Sequence, residues 1–112
     1  MNYLSTRDKS LKFSFKDIFL RGLAPGGGLF LPSEIRSYDK TDLENLSKLS
    51  YPELATEILY NFCSDNLTKG ELSSLVKDAY KHFEDKEVVK IKKIDNINLL
   101  ELYHGPTLAF KD

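Results

Sequence analysis

The sequence predicts an α+β domain, a small helical body with a helix pair and a short sheet. Three observations lead there. Four stretches pair a helix-start signal with apolar residues at helical spacing. Apolar runs near both ends of the chain lack that spacing and read as strands. The chain has 112 residues, 41% hydrophobic and 29% charged with net charge -1, ordinary proportions for one globular domain with a modest core.

The elements follow in order. Met1 to Thr6, with Tyr3 and Leu4 its only large apolar residues, fits an edge strand, and Arg7 to Ser10 is a polar turn. Ser14, with Asp17 three residues on, opens a helix over about Phe15–Gly22. The run Gly22 to Pro32, holding Gly26-Gly27-Gly28, breaks it. Bare glycine amides can cradle an anion, but the spacing matches no nucleotide loop and no helix start follows directly. A tight structural turn with positive φ is the favoured reading. Thr41 with Glu44 signals a short helix over Asp42–Leu49. Ser50 with Glu53, and Pro52 in the first turn, signals one over Tyr51–Ser64. Thr68 with Glu71 signals one over Lys69–Phe83.

The last two helices, joined through Asn66, should pack as an antiparallel pair. Leu75 and Phe62 fall on the shared faces, where truncation to alanine costs about 2–5 kcal/mol. Tyr60, Phe62, Tyr80 and Phe83 read as core rather than a ligand stack. Val88 to Ile91 reads as a short strand, Lys90, Lys92 and Lys93 as a solvated cluster, and Asp95-Asn96 as a turn. Ile97 to Tyr103 is a strand too continuously apolar to face solvent on one side, so part of it should be covered on both faces.

Several functions are excluded or unsupported. The near-zero charge gives no pull toward nucleic acid or anionic membrane. No run approaches the ~18 apolar residues of a membrane span, and the first residues lack a secretory pattern, so a cytoplasmic protein is expected. The single cysteine, Cys63, permits no internal disulfide and reads as a buried small hydrophobe. No cluster has metal-ligand spacing and no triad grouping is present. His82 reads as solvent-exposed. His104 reads as a strand-end histidine bonded to backbone, with acid/base work as the alternative.

The chemistry concentrates in the final stretch, Leu99 to Asp112. A strand meets the Gly105-Pro106 turn and ends on Lys111, directly after Leu108-Ala109-Phe110. A lysine and aspartate there are ordinarily solvated surface. Burial disfavours a lysine's charged form, however, and a neutral amine is what a Schiff-base lysine needs.

The nine residues His104-Gly105-Pro106-Thr107-Leu108-Ala109-Phe110-Lys111-Asp112 closely resemble the lysine motif of the threonine synthase family, enzymes that use pyridoxal 5′-phosphate (PLP). Ser5-Thr6-Arg7, Ser14-Phe15, Gly22-Leu23-Ala24-Pro25 and Gly27-Gly28-Leu29 look like the N-terminal domain of that family. Gly26 departs from the pattern, where members commonly carry aspartate. The resemblance implies that Lys111 holds PLP as a Schiff base and moves protons at the substrate's α and β carbons. It implies an N-terminal domain over residues 1–98 and the start of a PLP-binding catalytic domain over 99–112. It further implies a longer parent of the tryptophan-synthase-β-like architecture (fold type II), whose downstream domains hold the cofactor's phosphate. That parent is a lyase turning O-phospho-L-homoserine and water into L-threonine and phosphate. The 112 residues alone are then expected to be inactive and to bind no PLP specifically. Ser5, Thr6 and Arg7 match the family's N-terminal pattern without an assigned role. Two other readings stay open: a stand-alone interaction or regulatory domain, and another fold type II PLP lyase.

Overall fold

A helix pair occupies the middle of the molecule. The computed structural model describes residues 1–112. Four α-helices, α1 (Phe15–Arg21), α2 (Lys40–Leu46), α3 (Tyr51–Cys63) and α4 (Lys69–Tyr80), stand between two separate sheets. The first sheet is antiparallel with order β2-β1-β3, formed by β1 (Tyr3–Ser5), β2 (Lys12–Phe13) and β3 (Phe30–Pro32). The second is a hairpin of β4 (Lys90–Ile94) and β5 (Ile97–Glu101).

The helix starts are set by local side-chain chemistry. Ser14 accepts from the Asp17 N–H while Asp17 accepts from the Ser14 N–H, and Thr68 and Glu71 do the same. Each exchange satisfies donors that a helix start leaves unpaired. The bonded hydroxyls hold the Asp17 and Glu71 carboxyls below the usual carboxylate range. At α2 the cap is Asp39 with Asp42, not Thr41 with Glu44, so the helix begins two residues earlier than expected and ends at Leu46. Both pairs place an acid three residues after a capping side chain, and only the chain's path into the helix separates them.

The core is the seam between α3 and α4. Cys63, Leu72 and Val76 are buried there, with Phe15, Ala55, Tyr60, Leu67 and Tyr80 packed around them. Burial raises the Cys63 thiol's pKa, in keeping with an inert packing residue. Leu75 is not part of the seam and is 58% exposed, contrary to expectation. It lies beside Val76 on the helix, but nothing packs outside it. Phe62 is half-buried, and its carbonyl accepts from the Tyr3 hydroxyl at 2.6 Å. That bond ties the first sheet to the helix pair. A second tie joins α1 to the α3–α4 connection, where the Asn66 side chain accepts from the Lys16 N–H at 3.1 Å.

The strands differ from expectation in two places. β1 is the central strand of its sheet rather than an edge, because Lys12–Phe13 and Phe30–Pro32 pair on either side of it. The rings of Phe13 and Phe30 meet edge to face, centroids 5.0 Å apart. β4 starts at Lys90 rather than Val88. Val88 takes φ +64°, bonds its N–H to the Asp85 carbonyl and turns its side chain inward.

The hairpin is uncovered, contrary to the expectation that part of Ile97 to Tyr103 is covered on both faces, because the small helical core does not reach it. Its register sets Ile91 opposite Leu100 on one face and Ile94 opposite Ile97, beside Leu99, on the other. All five side chains are exposed. Two strands alone are marginally stable in water, so a hairpin apolar on both faces is built to be covered. The whole chain has the same character. Its accessible surface is 8506 Å², against about 6,300 Å² for a compact protein of this mass. Its radius of gyration is 16.6 Å, against about 13 Å.

The seam makes a direct contrast available. Leu72→Ala should destabilise the chain by about 2–5 kcal/mol. Leu75→Ala should stay within about 0.5 kcal/mol of the parent. Urea melts followed by circular dichroism measure both, and equal losses would show that the seam is misplaced.

Candidate functional site

The hairpin delivers the chemically distinctive segment. β5 ends at Glu101, and the chain then passes beneath the loop that follows α4, where the Glu84 N–H donates to the His104 carbonyl at 3.3 Å. His104 Nε2 lies 3.0 Å from Glu101 Oε2. The His104 bond, with one from the Tyr103 hydroxyl, holds the Glu101 carboxyl below its usual range. So the ring of His104 is bonded to a carboxylate rather than to backbone, and only its main-chain carbonyl meets another backbone group. Next to it the Asp85–Lys90 ion pair fixes the start of β4, depressing the Asp85 carboxyl and raising the Lys90 ammonium.

Beyond His104 the chain folds into a closed turn. The Leu108 N–H donates to the Gly105 carbonyl at 3.1 Å, and the Asp112 N–H donates to the Ala109 carbonyl at 3.2 Å. One Asp112 oxygen accepts from the Thr107 N–H at 2.8 Å and the other from the Thr107 hydroxyl. Gly105 is buried, and a Cβ there would collide with the Asp112 side chain. Glycine is required by that close approach. Lys111 sits at the crest of this turn, exposed and in no ion pair, its ammonium 5.8 Å from the centroid of the Phe110 ring. Leu108 and Phe110 are also exposed. The amine is therefore accessible and without a carboxylate partner. The adjoining cavity, under Phe83, Val88 and Leu102, holds only about 80 Å³, well short of the ~300 Å³ a small-molecule site needs.

The other motif residues gather elsewhere. Thr6 exchanges two hydrogen bonds with Leu29, one from its backbone N–H and one through its hydroxyl, each at 2.9 Å. The Arg7 guanidinium donates to the Gly26 carbonyl, and the Arg7 N–H donates to the Ser5 hydroxyl at 3.1 Å. Ser5 is 2% exposed. Together they buckle the N-terminal strand to the glycine turn, where Gly26 and Gly27 take φ +75° and +78°. The amides of Ala24 and Gly27 are used within the turn, which supports the structural reading over an anion cradle. A Cβ on Gly28 would lie 2.6 Å from the Ser5 hydroxyl. No hydrogen bond joins this buckle to residues 99–112, so the two motifs form two separate structures in this chain.

Sequence reasoning missed Thr107, Asp112 and Glu101 as partners. A hydroxyl and a carboxylate flanking a turn were the available signal for the first two, and an acid three residues before a histidine for the third.

Comparison with known proteins gives a consistent result. A family model described as "Threonine synthase N terminus" matches residues 2–80. The threonine synthase of Schizosaccharomyces pombe is 42% identical over 114 residues, covering all of this chain and 22% of its own length. The Homo sapiens protein named threonine synthase-like 2 is 42% identical over 114 residues, covering all of this chain and 24% of its own. Among solved structures, the PLP-bound threonine synthase from Brucella melitensis superposes with a TM-score of 0.92 at 37% identity, over 99% of this chain and 24% of that one. Yeast threonine synthase gives 0.89 at 38%, over 98% and 23%. The chain thus spans about a quarter of the length of these relatives.

The buckle yields a prediction. Gly28→Ala should destabilise the chain by about 1–3 kcal/mol, the usual cost of overpacking. Gly70→Ala is the control: it lies on α4 with open space around its Cα, and alanine is favoured in helices. Thermal melts should separate the two, and a neutral Gly28→Ala would mean that the turn is not pressed against Ser5.

Proposed function

The chain belongs to the threonine synthase family, and from that premise we propose that it forms the first quarter of a PLP-dependent lyase with Lys111 as the cofactor-bearing residue. The parent converts O-phospho-L-homoserine and water into L-threonine and phosphate, in the cytoplasm. The observation that carries this reading is the free Lys111 amine at the crest of a turn closed by its own motif. Residues 1–98 are read as the N-terminal domain and 99–112 as the opening of the catalytic domain, a boundary that falls within β5, whose hairpin partner β4 lies on the N-terminal side. The partners of the apolar hairpin are then the downstream domains of the same chain, which would bury Ile91, Ile97 and Leu100 and bring Lys111 out of water.

The residues present fit the cofactor in one respect, an accessible primary amine with no competing carboxylate. PLP supplies an electron sink at the substrate's α carbon when bound. Lys111 has two tasks, attachment through Nζ and, once released, proton transfer at the α and β carbons. Both need the neutral amine, and burial by the downstream domains favours it. The Glu84 N–H bond to the His104 carbonyl holds the end of the preceding strand to the loop after α4, and the local His104–Glu101 pair braces that end, which fixes where the turn emerges. The Ser5–Arg7 buckle is assigned to stability rather than to substrate.

Lys111→Ala in the full-length parent should abolish threonine formation and leave the circular dichroism spectrum unchanged. Arginine should not rescue it, because its pKa keeps it charged. Phosphate release and threonine are measured together on O-phospho-L-homoserine. A near-parent rate in the variant would overturn the assignment of Lys111. Phosphate release by the parent without threonine would instead indicate a different PLP lyase.

A further inference from the structure

We propose that the Thr107–Asp112 clip is a positioning device that holds the Lys111 amine free and in place. The proposal rests on the reading of Lys111 as the cofactor-bearing residue. An aspartate directly after a lysine is a natural ion-pair partner for it, and an ion-paired ammonium does not attack a carbonyl. Here both Asp112 oxygens are taken, one by the Thr107 N–H at 2.8 Å and the other by the Thr107 hydroxyl. Lys111 is left without a counter-ion. The two donors favour the ionised carboxylate, and its pKa is lowered accordingly, with the Thr107 hydroxyl the largest cause.

The clip also fixes geometry. Leu108 holds φ +60°, a conformation that persists only when its surroundings impose it. Two backbone hydrogen bonds and the clip are what close the turn. Consecutive Cα atoms are about 3.8 Å apart, so any movement of Asp112 moves Lys111. Gly105 leaves room for the Asp112 side chain that a Cβ would fill, so the motif's glycine and its final aspartate serve the same closure.

The experiment uses the full-length parent with Thr107→Val, Thr107→Ser and Asp112→Ala, beside Lys111→Ala. Cofactor-free enzyme is mixed with PLP, and the rate of attachment is followed by the visible absorbance of the lysine-bound cofactor. Steady-state kinetics on O-phospho-L-homoserine accompany it. Thr107→Val should slow attachment and lower kcat by up to about 100-fold, the usual effect of an ångström-scale misplacement, with KM near the parent value. Thr107→Ser should restore both. Parent-like behaviour of Thr107→Val in attachment and kcat would overturn the proposal, as would a Thr107→Ser variant no better than valine. If Asp112→Ala does not fold, the threonine pair decides alone, since valine keeps threonine's shape. Attachment that persists at the parent rate in Lys111→Ala would overturn the lysine reading itself, a result separate from either clip outcome.

Discussion

The seam between α3 and α4 is the interaction on which the rest of this chain depends. Cys63, Leu72 and Val76 are its buried centre, and the first sheet, α1 and the hairpin are each fastened to it by a small number of named contacts. The first sheet reaches it through the Tyr3 hydroxyl on the Phe62 carbonyl. Helix α1 reaches it through Phe15 and through Asn66. The hairpin and its motif reach it through the loop after α4, where the Glu84 N–H meets the His104 carbonyl. A core this small stabilises a small body. It leaves little apolar burial for the hairpin, whose side chains face water on both sides.

That imbalance connects stability to function. A chain of this mass exposes some 2,000 Å² beyond the compact expectation, and it spans about a quarter of the length of its relatives. The segment least supported by the local core is the one that presents Lys111. The turn itself is already closed by Thr107 and Asp112.

Local chemistry was legible in the sequence, and pairings over distance were not. The starts of α1, α3 and α4 followed from capping side chains three residues apart, because those bonds lie within one turn. The start of α2 was misread, since Asp39 and Thr41 carry the same local signal. β2 and β3 are two and three residues long, too short for alternation to register, and Pro32 weakened the second further. Leu75 and Val76 are neighbours on one helix, and which of them is buried depends on where α3 lies. The nine-residue motif singles out Lys111, which the structure leaves exposed and unpaired, and the glycine turn was legible through its composition. The clip of Thr107 by Asp112 was not, because a bond across a five-residue turn has no period to reveal it. Nor did the sequence indicate that Ser5, Thr6 and Arg7 close on the glycine turn, since that contact spans some twenty residues.

The most direct test is the chemical identity of the cofactor-bearing residue. The full-length parent, loaded with PLP, is reduced with borohydride, digested and mapped by mass spectrometry, with the isolated 112 residues treated alongside. One stoichiometric label is expected in the parent, on Lys111, and only weak labelling scattered over several lysines in the isolated chain. A parent labelled at any other lysine would contradict the assignment of Lys111.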